Sequence, residues 1–133
     1  MKLTKVQRDE LKCKFNGLCA YCGTPLGELW HADHLLPVIR VEASSMEDPH
    51  RDCLENMMPA CAPCNIDKSR RPLEDWRQKL TRACEVLRRN QPTYRHALRF
   101  GLVQEKCVPI TFYFERINQS SRSTGSKTLG LNE

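Results

Sequence analysis

No stretch of this 133-residue chain is apolar for long enough to enter a membrane. A span needs about 20 consecutive apolar residues, and the opening MKLTKVQRDELKCKF lacks even the shorter apolar run of a signal peptide. Membrane insertion and secretion are not expected, so the chain is read as cytoplasmic. Nothing repeats along it except two Cys-x-x-Cys units. It is also too short for two independent hydrophobic cores, which predicts one compact unit with tails. No aromatic residues interleave with its basic stretch at 68–71, so stacking recognition of single strands has no support. No groove-reading helix is evident, which leaves any DNA sequence preference unreadable.

Cysteine is abundant by contrast, with eight residues. In a reducing compartment they are expected as metal ligands or buried thiols rather than as a disulfide framework. The net charge of +5 is unevenly spread: residues 31–60 carry two basic against six acidic residues, and residues 61–90 eight against four. An acidic segment suited to a cation thus precedes a basic one suited to an anionic polymer, although a merely solvated surface would look the same.

The periodicities predict the elements. Leu3, Val6, Leu11 and Phe15 fall near helical spacing, with Thr4 and Gln7 placed for a capping box. Residues 29–41 read as a strand whose apolar run Leu35, Leu36, Val38, Ile39 looks buried, ending or bending near Pro37. EASSMEDPHRD is then a loop. After Pro72, the residues Leu73, Trp76, Leu80, Cys84 and Leu87 make one face of a helix, with Glu74 and Asp75 in its first turn. In CVPITFYFERI, Val108, Ile110, Phe112 and Phe114 alternate with Thr111, Tyr113 and Glu115, a strand period. Residues 118–133 are polar and Ser/Gly-rich, so a flexible tail is expected.

Cys19-x-x-Cys22 and Cys61-x-x-Cys64 supply four thiolates, and two-residue spacing lets both sulfurs of each turn face one tetrahedral ion. A closed shell of this kind is structural: zinc would tie together the ends of the 38 intervening residues and contribute folding free energy. Cys13, Cys53, Cys84 and Cys107 have no partner at ligand spacing, and each is expected to be an ordinary buried or half-buried thiol.

Around these knuckles lie Asp33 and His34 in HADHLLP, Asn56, and Asn65-x-x-Lys68. The combined pattern CxYCG, ADHLLP, ENMMPACAPCNIDK resembles the HNH endonucleases over about residues 13–72. The family name's final histidine is Asn65 here, so the chain is similar to a His-Asn-Asn variant. The resemblance implies an α+β fold with a small zinc-stabilised ββα-metal core, treble-clef-like, flanked by helices and, from the strand period above, a C-terminal strand. The expected organisation is a nuclease core over 1–72, a helix-plus-strand extension over 73–117 packed on it and able to meet a protein partner, and the tail. It implies a phage or bacterial hydrolase cutting DNA, most simply double-stranded, to a 5′-phosphate and a 3′-hydroxyl.

The chemistry of the matched positions is compatible. Phosphodiester hydrolysis needs a base to activate water and a cation to stabilise the phosphorane and the leaving oxygen. By resemblance His34 is that base, since histidine titrates near neutrality. Asp33 and Asn65 offer hard oxygen ligands suited to one Mg²⁺ or Mn²⁺. Asn56 takes the family's middle position and would brace the site's loop. Lys68, Arg70 and Arg71 would grip the phosphate backbone, adding affinity without sequence information. His31 shares a strand face with Asp33 and is a possible accessory residue, whereas His50 belongs to the surface. The competing interpretation is a zinc-knuckle module that binds nucleic acid or protein and has lost turnover, but such a relic would be expected to lack the base or a ligand.

Overall fold

The computed structural model describes residues 2–38, 40–42, 45, 46 and 49–118. Ile39, the acidic Glu47 and Asp48, and the tail from residue 119 lie outside the described residues. In place of the single unit expected from length, the chain divides into two: residues up to Pro72 with those from Thr111 form one, and Leu73–Ile110 the other.

The first unit opens with helix α1 (Lys5–Cys13). The Thr4 hydroxyl accepts the Gln7 N–H and the Gln7 side chain accepts the Thr4 N–H, so the predicted capping box is formed. Of α1's predicted apolar face, Leu11 is buried while Val6 is 66% exposed. Arg8 secures the helix by stacking over Trp30 at 4.1 Å and donating to its carbonyl at 3.0 Å. A knuckle at Cys19–Cys22 then leads into β1 (His31–His34), which pairs antiparallel with β4 (Met57–Ala60). The register sets Asp33 opposite Met58 and His34 opposite Met57. All four residues of β4 are buried, and Cys61 is the N-cap of α2 (Ala62–Lys68). Strand, strand and helix thus meet as the ββα core the sequence predicts.

The long strand expected over 29–41 stops at His34. Leu36 is 52% exposed, and its N–H and C=O are both bonded to the Asn56 side chain at 2.9 Å. A side chain satisfies the backbone groups that a ladder would otherwise need. The chain resumes pairing in β2 (Arg40–Glu42), against β3 (Ser45–Met46), and Pro49–Arg51 form a 3-10 turn, so the described residues of the acidic stretch are not all loop.

The predicted C-terminal strand is also corrected: residues 113–118 are helical and Val108 is 62% exposed. Glu115 accepts the Phe112 N–H at 2.9 Å, closing half a capping box that overrides the alternating pattern. At the start of that helix, Tyr113 N–H and Phe114 N–H donate to the carbonyls of Tyr21 and Ala20. The Phe112 and Phe114 rings then lie edge-on to Tyr21, with centroids 5.8 and 6.3 Å away. The aromatic segment therefore packs on the first knuckle, within the first unit, instead of extending 73–110.

Gly23 closes that knuckle at φ +78°, and a Cβ there would meet Tyr113 at 3.0 Å. Gly27, at φ +68°, has nothing within 4 Å of such a Cβ. Left-handed backbone costs a residue with a Cβ roughly 1–2 kcal/mol. Gly23→Ala is thus expected to destabilise the protein by about that amount plus the Tyr113 contact, and Gly27→Ala by the dihedral cost alone. Urea unfolding midpoints compare the two, and equal losses would refute the packing role of Tyr113.

The second unit contains α3 (Leu73–Thr81), α4 (Ala83–Asn90) and α5 (Pro92–Arg99). The single helix expected after Pro72 breaks at Arg82, where the Thr81 hydroxyl donates back to the Arg77 carbonyl at 2.8 Å, a local competition that bends helices. Helix α5, with Pro92 in its first turn, falls where no element was predicted. Trp76 is buried; Arg77 bonds both Glu74 and the Ile110 carbonyl, and Arg88 pairs with Glu105. Of the unpaired cysteines, Cys53 and Cys84 are half-buried as expected, while Cys13 and Cys107 are exposed.

Candidate active site and metal centre

Cys19, Cys22, Cys61 and Cys64 converge, with all four Sγ atoms within 4.8 Å of one another. The Cys22 and Cys61 sulfurs are 3.7 Å apart. A tetrahedral zinc with bonds of about 2.3 Å requires sulfurs about 3.8 Å apart, so the spacing fits the ion. The Cys61 N–H points at the Cys19 sulfur at 3.4 Å. Cys19 is drawn down to about 4 by the hydrogen bond from Cys64, against the opposing effect of burial. Cys64, which donates that bond, is pushed up, and Cys61 is raised chiefly by burial. The cluster already favours a thiolate, and it could hold zinc.

The knuckles also set the second site. Tyr21 stands between two of the cysteines, and α2, whose N-cap is Cys61, carries Asn65 and Lys68 about one and two turns beyond that cap. Tyr21 Oη donates to Asp33 Oδ2 at 2.5 Å, and Lys68 Nζ lies 3.0 Å from the same oxygen and 2.8 Å from the His34 carbonyl. Burial, then the Asp33 charge, pushes the Tyr21 phenol up, so it stays protonated as a donor. With both donors on Oδ2, Oδ1 is the carboxylate oxygen left for a cation. Lys68 is fully buried and Asp33 7% exposed, so the predicted phosphate contact of Lys68 is corrected: its ammonium is committed to the carboxylate and the strand end.

Asp33, His34 and Asn65 line one cavity of about 380 Å³, together with Pro37, Ser69 and Arg70. Ser69, at φ +50°, ends α2 sharply, and the chain leaves it through Arg70 beside the cavity. Arg71 is exposed and donates to the Asp67 carbonyl, while His31 is exposed at the start of β1, outside that lining. Asn56, besides its two bonds to Leu36, donates from its amide to the Arg51 carbonyl at 2.8 Å.

Two contacts were not legible in the sequence. Tyr21 carries a weak signal, being fixed between two ligands of a knuckle. Asp52, whose Oδ1 lies 2.9 Å from His34 Nε2, is one of several acids in an aperiodic stretch and carries none.

The arrangement offers a histidine, a carboxylate oxygen, an amide and a guanidinium around a space large enough for a phosphodiester. No helix among the described residues is long and apolar enough to cross a membrane. No curated protein and no solved structure matches the chain significantly. The HNH endonuclease family model matches residues 19–71, a span that contains both knuckles and every cavity residue named above. Residues 19–71 are therefore similar to the HNH endonucleases, and the similarity rests on that family model.

Proposed function

We propose that the chain is a metal-dependent endonuclease that hydrolyses phosphodiester bonds of double-stranded DNA. The observation that carries this reading is the shared cavity of Asp33, His34 and Asn65, beside a cysteine cluster with zinc spacing. His34 accepts a proton from the attacking water, and Asp33 and Asn65 would hold one Mg²⁺ or Mn²⁺. That cation, when bound, stabilises negative charge on the phosphorane and the departing 3′ oxygen. In this reading Arg70, which lines the cavity, contacts a backbone phosphate, and the exposed Arg71 adds a weaker, outer contact. Zinc in the four-cysteine cluster is structural, since its shell is closed. A cytoplasmic setting belongs to this reading because it keeps the thiols reduced. A protein partner would be met through residues 73–117.

A noncatalytic module would need neither a base nor an oxygen-ligand pair on one cavity, so the enzyme reading is favoured. Plasmid nicking tests it. With Mg²⁺ or Mn²⁺ the parent is expected to convert supercoiled plasmid to open circles, and His34→Ala to be slower by roughly 10²–10⁴-fold, the usual contribution of a general base. Absence of metal-dependent nicking by the parent, or equal rates for both proteins, would sink the proposal.

A further inference from the structure

His34 and Asp52 come from different elements, the end of β1 and the turn after Pro49–Arg51, and meet at 2.9 Å. An ionised carboxylate has no proton to give, so the bond forms only if Nε2 carries the hydrogen and donates it to Oδ1. A neutral imidazole protonated on Nε2 has its lone pair on Nδ1. The side chain of Asp52 is 13% exposed and that of His34 30%, so the pair sits partly out of water at the edge of the cavity that His34 lines.

The same loop is held from both sides. Asn56 bonds Leu36, two residues beyond His34, and the carbonyl of Arg51, the residue before Asp52. Its own carbonyl accepts the Leu35 N–H at 2.9 Å. One amide thus spaces the two partners of the pair, which gives the middle residue of the motif a physical task.

We propose that Asp52 is a positioning residue that fixes the tautomer of His34, with Nε2 protonated and Nδ1 as the basic nitrogen, and that Asn56 holds Asp52 in place. The role in turnover rests on the nuclease reading; the tautomer does not. In that turnover Nδ1 takes a proton from water as the water oxygen forms the new bond to phosphorus. The bond from phosphorus to the 3′ oxygen breaks, and that oxygen takes a proton from solvent. The imidazolium left behind is stabilised by the Asp52 carboxylate, the logic by which an acid orients a catalytic histidine elsewhere.

The test is ¹⁵N NMR of the imidazoles in the zinc-loaded full chain at alkaline pH, where the ring is neutral, alongside plasmid nicking. His34 of the parent is expected to show a protonated Nε2 and an unprotonated Nδ1. In Asp52→Asn, isosteric and uncharged, that distinction should weaken or invert. Single-turnover nicking should fall roughly 10²-fold, with DNA affinity unchanged, and the double variant with His34→Ala should be no slower than His34→Ala alone. Zinc content and unfolding midpoint confirm that the variant folds; if it does not, Asp52→Ser replaces it. A parent His34 protonated on Nδ1, or a ¹⁵N pattern unmoved by either variant, overturns the proposal whether or not the protein cuts DNA. A parent that shows the Nε2–H tautomer but never nicks overturns the nuclease reading and leaves the assignment standing.

Discussion

Cys61→Ser is expected to abolish the cooperative fold of the first unit. Cys61 is one of four convergent thiols, occupies the N-cap position of α2 and directs its N–H to Cys19. A structural zinc site contributes an apparent 10–16 kcal/mol to folding in small domains, roughly, while whole domains are stable by only about 5–15 kcal/mol. Losing one ligand of four leaves little margin. The first unit has few alternatives, because its core is small: Leu11, Leu26, Trp30, the short β4 and the aromatic segment around Phe112. Circular dichroism and zinc content after dialysis are the measurements. The parent should retain about one zinc, and the variant should lose both metal and cooperative unfolding. Cys107→Ser, at an exposed thiol outside the cluster, should behave as the parent. A Cys61→Ser protein that unfolds cooperatively at the parent's midpoint would refute a structural metal.

Lys68→Met is expected to destabilise the protein by roughly 3–5 kcal/mol, the usual consequence of leaving a buried charge without its partner. Methionine retains most of the stem's volume but removes the ammonium that meets Asp33 and the His34 carbonyl. Tyr21 still donates to Asp33, so the carboxylate keeps one hydrogen bond while losing its counter-charge. Asp33→Asn combined with Lys68→Met removes both charges and should recover much of the loss, which a thermodynamic cycle measures as a coupling between the two sites. Independent, additive losses would show that the pair does not act as a unit. A solvated phosphate-gripping lysine, as the sequence alone suggests, would instead tolerate methionine within about 0.5 kcal/mol and weaken only DNA binding.

Local chemistry explains which expectations held. The capping box at Thr4 and Gln7 needs two side chains three residues apart, and it forms. Paired cysteines need only a tight turn each, and both knuckles form. The long strand over 29–41 failed because Asn56, far along the chain, takes the backbone groups of Leu36. The aromatic strand failed because the Glu115 side chain caps a helix at Phe112, and the rings found a surface on Tyr21 instead of a ladder. Alternation of apolar residues reports a preference for two faces, and a nearby cap or platform can outweigh it.

The sequence by itself determined the two knuckles, the first helix, and the presence of Asp33, His34, Asn56 and Asn65 in family order, because spacing and residue type express these locally. Only the tertiary structure decided that Lys68 is buried against Asp33, that Tyr21 shares that oxygen, that Asp52 meets His34, and that Arg70 rather than His31 borders the cavity. Those contacts join residues 12 to 35 positions apart, and such separations are set by how the knuckles, the β1–β4 register and the loop closed by Asn56 bring distant segments together. No local pattern encodes them.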